Sequence, residues 1–537
     1  MTHGQSALRF VIYAGLGMAI GGFVALLDWI TVEVALEFVL HAPLALQLVM
    51  PPLGMLAVAL ILRLRPGLTP STSDSYIESF HTGSGAEAKT LGPKLLAAFA
   101  TIGTGGAVGM EGPAVLAGAT LGQSMGDRLP KVLGESPRLV LLVAGAAAGV
   151  AAIFKAPATG VLFAMESPYR RDISRHGLIP ALVASAAAYL TFITFLGNEP
   201  LLQFAAFQVE LRDEILAAVL LGVLAGIAGQ LLARVFKWAK YAYVTWPFKH
   251  RFAVSSVLFA TSLMAARELA NEPLTLGLGS EMAVDVVNNP TISFWAILGL
   301  FGLRAIVTSA TLGMGGVGGL FIPLVVQGIL LGRAVEILVD APSSGLYPVI
   351  GLAAVLGAAY RTPLAAVVFV AESTGRAEYV IPALIATAIS QTFMGDLSVS
   401  SGQRSERQGQ LERRLVEPCA VVMVEGIGSL KPDATLLEII DLYGDRSESL
   451  AVPVAGPEYQ GLLVLHDLAP TMLEHGPDAT AAQAMRALPA VDSTAPAIDA
   501  ARLMNEHDAA AIAVVDENNM PVGVISTTSL AGLKEVI

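Results

Sequence analysis

GGAVGMEGPAVLAGATLG, residues 105–122, decides how the chain is read. The run is made of small and apolar residues and holds one carboxylate, Glu111, between Met110 and Gly112. Glycine opens backbone conformations closed to other residues and lets two backbones approach closely. Pro113 suits the first turn of a helix, where a missing N–H costs nothing. The stretch therefore reads as a glycine loop that ends in a helix start. Unpaired N–H groups at such a start, with the helix dipole behind them, attract anions. A carboxylate in a segment apolar enough to lie in a bilayer is expensive, which marks Glu111 as functional.

The pattern returns 210 residues later as GGVGGLFIPLVVQGILLG, residues 315–332. Gly105, Gly109, Pro113, Gly118 and Gly122 meet Gly315, Gly319, Pro323, Gly328 and Gly332, while Glu111 meets Phe321. Residues 145–167, GAAAGVAAIFKAPATGVLFAMES, match 351–373, GLAAVLGAAYRTPLAAVVFVAES, at an offset of 206. There Lys155 meets Arg361, Pro157 meets Pro363, Phe163 meets Phe369 and Glu166 meets Glu372. Ordered Pro, Phe and Glu matches point to an internal duplication. Duplicated membrane halves commonly enclose a midplane site built by broken helices.

Composition agrees. Mean hydropathy is +0.66, and 14% of residues are charged, against roughly a quarter in soluble proteins. Apolar runs at 10–27, 214–234 and 292–310 are of spanning length. The first lacks the basic start and small-residue cleavage site of a signal peptide and reads as a membrane helix. The net charge of −12 is concentrated in residues 403–537, which hold 20 acidic and 9 basic side chains. Such an acidic tail argues against a nucleic-acid partner. The single cysteine, Cys419, excludes an intrachain disulfide and fits a cytoplasmic tail. The basic cluster Tyr169-Arg170-Arg171-Asp172 suggests a cytoplasmic exit.

Between the first helical pair and the core stretch lies a mostly polar segment, 69–90, with Gly83-Ser84-Gly85 as a loop that presents a hydroxyl and adjacent N–H groups. Alone, such a tripeptide is also an ordinary turn. Residues 401–417 read as a linker without an apolar face. Beyond it the pattern becomes soluble α/β, and 418–475 and 476–537 share one layout. Each has a Pro near its start, an acidic-capped helix, a strand (450–454, 511–515), a turn, and a second strand opening at Gly461 or Gly523. No nucleophile–base arrangement, metal-spaced His pair or phosphate-binding loop points to an enzyme, and no metal or cofactor is required.

GMEGP (109–113), GLFIP (319–323) and GSG (83–85) on this duplicated scaffold resemble the GxEGP, GxFxP and GSGIP motifs of the CLC family of chloride channels and anion/proton exchangers. The tail resembles tandem CBS domains. The resemblance implies an all-α polytopic membrane protein with two inverted-topology repeats over 1–400, a linker at 401–417, and a C-terminal soluble α/β tandem CBS module divided at 475/476. It implies a homodimer in the lipid bilayer, with an anion path in each subunit, in a bacterial inner membrane with the tail cytoplasmic. The anion-binding set it implies is Gly83, Ser84, Gly85, Gly109, Met110, Gly112, Leu320, Phe321 and Ile322, with Glu111 as gate and proton carrier. Partial charges suit such a path, because binding must be favourable enough to enter and weak enough to leave, whereas a buried Lys would hold the anion too firmly.

The chain departs from the family pattern in four places. Ala86-Glu87 stands where Ile-Pro follows GSG. No tyrosine follows the last membrane helix near Gly395, where Val399 or a serine stands instead. Met110 replaces a commoner basic residue. Ser167 follows Glu166 where proton-coupled members often carry a second carboxylate, and the match of Glu166 to Glu372 suggests a capping role for both. The departures lean towards a voltage- or pH-gated chloride channel with Glu111 as gate. A proton-coupled chloride or fluoride antiporter of the same fold is the alternative. A CBS-regulated cation transporter would need intramembrane carboxylate clusters, and the repeats supply one embedded gate-like Glu. CBS modules that bind adenine nucleotides often end in Ser/Thr-x-x-Asp. Here the first copy has Val464 and Asp467 and the second Ser526 and Ser529, so Asp467 and Ser526 are the candidate nucleotide contacts.

Overall fold

The computed structural model describes residues 3–65, 67–83, 88–129, 137–204, 211–341, 345–407, 414–424, 427–443, 451–476 and 478–532. The chain divides into two compact units, Met1–Glu406 and Arg407–Ile537.

In the first unit α1 (His3–Asp28) runs through a π-helical turn (Trp29–Leu36) into α2 (Glu37–His41). The first half continues with α3 (Leu44–Leu64), α4 (Ser73–Thr82), α5 (Ala88–Ile102), α6 (Glu111–Arg128), α7 (Pro137–Ile153), α8 (Pro157–Glu166) and α9 (Leu178–Leu196). The second half answers in the same order. It holds α10 (Leu211–Thr245), α11 (Phe248–Ala270), α12 (Ser280–Asn288), α13 (Phe294–Gly313), α14 (Phe321–Leu338), α15 (Leu346–Tyr360), α16 (Pro363–Thr374) and α17 (Val380–Met394). Among the described residues seven helical segments are long and apolar enough to cross a membrane. Helices α4, α8, α12 and α16 are too short to span. These are the broken elements that the duplication led us to expect.

Repeat mates make the same contacts in both halves. Thr101 Oγ1 donates to Ala97 O (2.8 Å) and accepts from Val317 N (2.9 Å). Its mate Thr311 donates to Val307 O (2.9 Å) and accepts from Ala107 N (3.1 Å). Each threonine thus satisfies a loop amide of the opposite half. Helices α6 and α7 touch backbone to backbone, since a Cβ on Gly118 would fall 2.0 Å from Gly145 O. Helices α14 and α15 do the same, with 2.5 Å from a Cβ on Gly328 to Gly351 O. Small residues are what allow helices to approach this closely without a large side chain between them.

The buried charges follow the same symmetry. Lys94 donates to Ser71 O (2.8 Å) and Ser75 Oγ (2.7 Å) and holds the chain leading into α4. Arg304, 210 residues later, donates to Leu274 O, Gly277 O and Leu278 O at 3.0, 2.7 and 2.5 Å and holds the chain leading into α12. Glu166, at the end of α8, accepts from Leu364 N (3.1 Å) and Ala365 N (2.8 Å) at the start of α16. Glu372, in α16, accepts from Ala158 N (2.9 Å), Thr159 N (2.8 Å) and Thr159 Oγ1 (2.7 Å) at the start of α8. Each carboxylate fills the open amides of its counterpart helix, the capping role expected from their match.

Part of the expected linker belongs to the membrane unit. Arg170 N and Arg171 N donate to Arg404 O and Ser405 O at 2.8 and 2.9 Å, so residues 401–406 are held by backbone pairing that needs no apolar face.

The second unit carries two matching hairpins. β1 (Ala451–Ala455) pairs antiparallel with β2 (Tyr459–Val464), and β4 (Ala511–Val515) with β5 (Pro521–Ser526). Each has a bulge at the corresponding place, and β3 (Val491–Asp492) joins β4 in parallel. Helices α18 (Cys419–Val422), α19 (Leu436–Tyr443), α20 (Leu468–His475), α21 (Ala481–Ala484), α22 (Ala497–Glu506) and α23 (Thr527–Ala531) complete it. The expected division at 475/476 is crossed in both directions. Cys419 N and Val424 N donate to Ala495 O and Val524 O, both at 2.8 Å, on the second hairpin's side. Leu436 N and Leu462 N donate to Ala479 O (2.8 Å) and Arg486 O (3.0 Å). Backbone groups at the hairpin edges require partners, and segments from the other copy supply them. Burial in this core pushes the Cys419 thiol up to about 11.

Removing either cap tests the symmetric account. Glu166→Ala and Glu372→Ala each strip amide hydrogen bonds from a partly buried helix start, a loss of about 1 kcal/mol or more. Both are expected to lower the thermal unfolding midpoint of the purified protein in detergent, and an unchanged midpoint in both removes the capping role.

Candidate functional site

The two glycine motifs meet each other. Gly109 N donates to Gly319 O (2.9 Å), and Gly319 N donates to Gly109 O (2.8 Å). The partners are repeat mates, so a local two-fold axis passes between them and relates the halves. Gly105 and Gly315, at φ 98° and 84°, turn the chain into this bridge in the left-handed region that favours glycine. Helices α6 and α14 start directly beyond it, at Glu111 and Phe321.

Glu111 is fully buried. Its Oε1 accepts from Phe321 N at 2.5 Å, while Oε2 has no hydrogen-bond partner. The carboxylate therefore lies across the start of α14, where unpaired amides favour negative charge. Two glycines make room for it, and a third makes room for Thr72. A Cβ on Gly109 would fall 1.9 Å from Glu111 Oε2, one on Gly319 2.1 Å from Oε1, and one on Gly112 2.2 Å from Thr72 Oγ1. The Phe321 ring is enclosed by Phe154, Phe163 and Phe369, with centroids at 4.3, 5.6 and 5.0 Å.

The third helix start at this centre is α4, entered through Thr72, which is buried and whose Oγ1 lies 3.4 Å from Gly318 O. This corrects the expected hydroxyl loop. Gly83 is exposed at the far end of α4, about 15 Å along a ten-residue helix. Ser84 and Gly85 lie outside the described residues. The signal for Thr72 was present in Pro70-Ser71-Thr72-Ser73, a polar run of the type that caps helix N-termini.

A cavity approaches Glu111 from each side. One, of about 190 Å³, is lined by Met110, Phe154 and Ile322 together with Asp28, Glu33, Glu37, Glu281 and Lys155. The other, of about 330 Å³, is lined by Thr72, Asp74, Lys240, Gly319, Leu320 and Tyr360. On the Met110 side, where the resemblance has a commoner basic residue, four carboxylates stand against one lysine. Among the described residues no group of three or more His, Cys, Asp or Glu is placed to hold a metal.

In the tail, Ser526 ends β5 at the place of Val464 in β2, and Asp467, three residues past β2, answers Ser529 of the second copy. The Ser526 hydroxyl caps α23: its Oγ accepts from Ser529 N (3.1 Å), and Ser529 Oγ accepts from Ser526 N (3.0 Å). Asp467 precedes α20, and its carbonyl accepts from Thr471 Oγ1 at 2.8 Å.

Halves related by a local two-fold, broken helices that meet at a buried carboxylate, and a cavity on either side define a membrane transport scaffold of inverted repeats. The chain belongs to the voltage-gated chloride channel family, whose profile matches residues 53–395, and residues 481–534 match a CBS domain. It is 28% identical over 308 residues to the H(+)/Cl(-) exchange transporter ClcA of Vibrio vulnificus (strain YJ016), covering 54% of this chain and 64% of that relative. It is 26% identical over 321 residues to ClcA of Vibrio cholerae serotype O1 (strain ATCC 39541), covering 58% and 67%. Among solved structures, a CLC-type fluoride/proton antiporter superposes with a TM-score of 0.65 at 22% identity, covering 75% of this chain and all of that one. A eukaryotic CLC transporter superposes at 0.59 with 19% identity, covering 97% and 98%.

Gly319→Ala tests the geometry. Its Cβ would overlap the Glu111 carboxylate, so anion flux in liposomes is expected to fall at least tenfold with the protein still folded. Flux at the wild-type level would mean that Glu111 lies elsewhere.

Proposed function

We propose that this protein exchanges a small anion, chloride first, for protons across a membrane. The observation that supports this most is the Glu111 carboxylate, buried across the start of α14 with one oxygen on Phe321 N and the other without a partner. Ionised, it occupies the place an anion would take. Protonated, it loses that charge, and the amides of Phe321 and its neighbours become free to hold the substrate. One group thus competes with the anion and carries the proton, which ties the two movements together. The names of the curated relatives favour exchange over the channel reading to which Ser167 pointed.

The anion-contacting set in this reading is Gly109, Met110, Gly112, Leu320, Phe321 and Ile322, with Thr72 in place of Gly83, Ser84 and Gly85. The unit acts as a homodimer in the bilayer of a bacterial inner membrane, with the tail on the cytoplasmic side. In the tail, adenine nucleotide would meet Asp467 in the turn between β2 and α20. At the second copy it would have to draw Ser526 out of its helix cap.

Liposomes loaded with chloride, or separately fluoride, test the function when anion efflux and internal pH are followed together. Wild type is expected to take up protons in fixed proportion to the anion released. Glu111→Gln is expected to release anion without proton uptake. Chloride efflux without linked protons in the wild type would establish a channel, and fluoride efflux alone would change the substrate.

The acidic cavity beside Met110 makes a separate prediction. A net negative mouth repels anions, and salt screens the repulsion over about 10 Å at 0.1 M. Glu281→Gln is expected to raise anion flux several-fold at low ionic strength, with the gain vanishing in high salt. Equal gains at both ionic strengths would show that Glu281 acts by another route.

A further inference from the structure

Exchange requires the proton held by Glu111 to reach both sides of the path. On the Met110 side several carboxylates face the cavity. On the opposite side, Glu166 is engaged by two helix amides and Ser167 brings no carboxylate. The carboxylate that lines the Thr72-side cavity is Asp74, two residues past Thr72 in the first turn of α4. Its side chain is 18% exposed, 3.3 Å from Lys240 Nζ of α10, and it accepts from Ser400 Oγ (2.5 Å) and Ser401 N (3.2 Å).

Asp74 and Glu111 are separated by a thin partition. Gly319 lines the Asp74 cavity, and a Cβ on it would fall 2.1 Å from Glu111 Oε1. Tyr360, at the end of α15, lines the same cavity and lies within electrostatic reach of both carboxylates. Its hydroxyl faces Ser73, whose buried Oγ makes no hydrogen bond of ordinary geometry. Glu111 Oε2 is unpaired on the other face of the partition. Buried polar atoms without partners mark places where a water or a passing ion completes the bonding.

The duplication places this constellation at both mouths. Ser73-Asp74 opens α4 and Ser280-Glu281 opens α12, 207 residues later. Tyr360 stands 206 residues after Phe154, and Lys240 stands 207 after Glu33. Each mouth thus has a carboxylate at the same place, but Asp74 is paired with Lys240 whereas Glu281 feels Glu33.

We propose that Asp74 is the proton-exchanging carboxylate on the Thr72 side of the path. This rests on the exchange reading above. A proton leaves an Asp74 oxygen, passes the Ser73 and Tyr360 hydroxyls, and binds a Glu111 oxygen; the reverse transfer returns it. No other bond changes. After donation Asp74 is a carboxylate beside Lys240, with Lys94 of α5 adding a second positive charge and Glu78 of its own helix a negative one. Ser400 and Ser401 supply donors to the ionised form.

The test follows proton uptake and anion efflux together in liposomes for wild type, Asp74→Asn and Asp74→Glu, with the anion the wild type exports. The expected result is that in Asp74→Asn the protons taken up per anion released fall at least tenfold, whatever the anion efflux itself, and Asp74→Glu restores the ratio. Wild-type coupling in Asp74→Asn would overturn the assignment and leave exchange standing. Loss of anion efflux in both variants, with each monodisperse on size exclusion, would overturn it in favour of a structural ion pair. A wild type without coupled protons removes the exchange reading, and this assignment with it, before any variant is considered.

Discussion

Two hydrogen bonds between Gly109 and Gly319 fix the geometry on which the site depends. Because the bonded residues are repeat mates, the bridge sets the local axis and sends α6 and α14 away from a common point. Helix starts leave amides unpaired, and bringing them together in an apolar interior creates a place where negative charge is favoured. Glu111 occupies that place with its own charge. A carboxylate there would otherwise be costly to bury; here an amide receives one oxygen, and the other stays open. Glycine is required at 109, 112 and 319 because the carboxylate and the Thr72 hydroxyl fill the space a Cβ would take.

The two halves agree where they build the scaffold and differ where they line the path. Thr101 and Thr311, Lys94 and Arg304, Glu166 and Glu372 make equivalent bonds. The mates that diverge are Glu111 and Phe321, Met110 and Leu320, Phe154 and Tyr360, and Glu33 and Lys240. A symmetric frame gives two approaches of the same shape. The divergent side chains give them different chemistry, acidic on one side and charge-paired on the other.

The duplication, the broken helices and the buried Glu111 were legible because they are written as ordered motifs at fixed offsets. The third helix start was not. Gly83-Ser84-Gly85 had the shape of an anion-binding loop, while Thr72 sat in a run of Ser and Thr in which several residues offered the same hydroxyl. Position along α4, not residue type, separates them. The tail's exchanged segments were hidden for a related reason: the backbone bonds from Cys419 to Ala495 and from Leu436 to Ala479 join distant stretches with no local signature. The reading of Ser167 considered only the end of α8, whereas the carboxylate that lines the Thr72-side cavity, Asp74, comes from α4.

Lys240 stands in the cavity next to Leu320, where a bare ammonium would trap an anion rather than pass it on. The structure shows how the charge is tolerated. Asp74 lies 3.3 Å from its Nζ, and Val399 O accepts from it at 3.1 Å, so the ammonium is met by a full negative charge and a carbonyl dipole. This mouth therefore carries a neutral pair beside helix amides. Protonating Asp74 would remove half of the pair and leave the ammonium exposed to the cavity. The same carboxylate that neutralises the ammonium thus sets how strongly this mouth attracts negative charge.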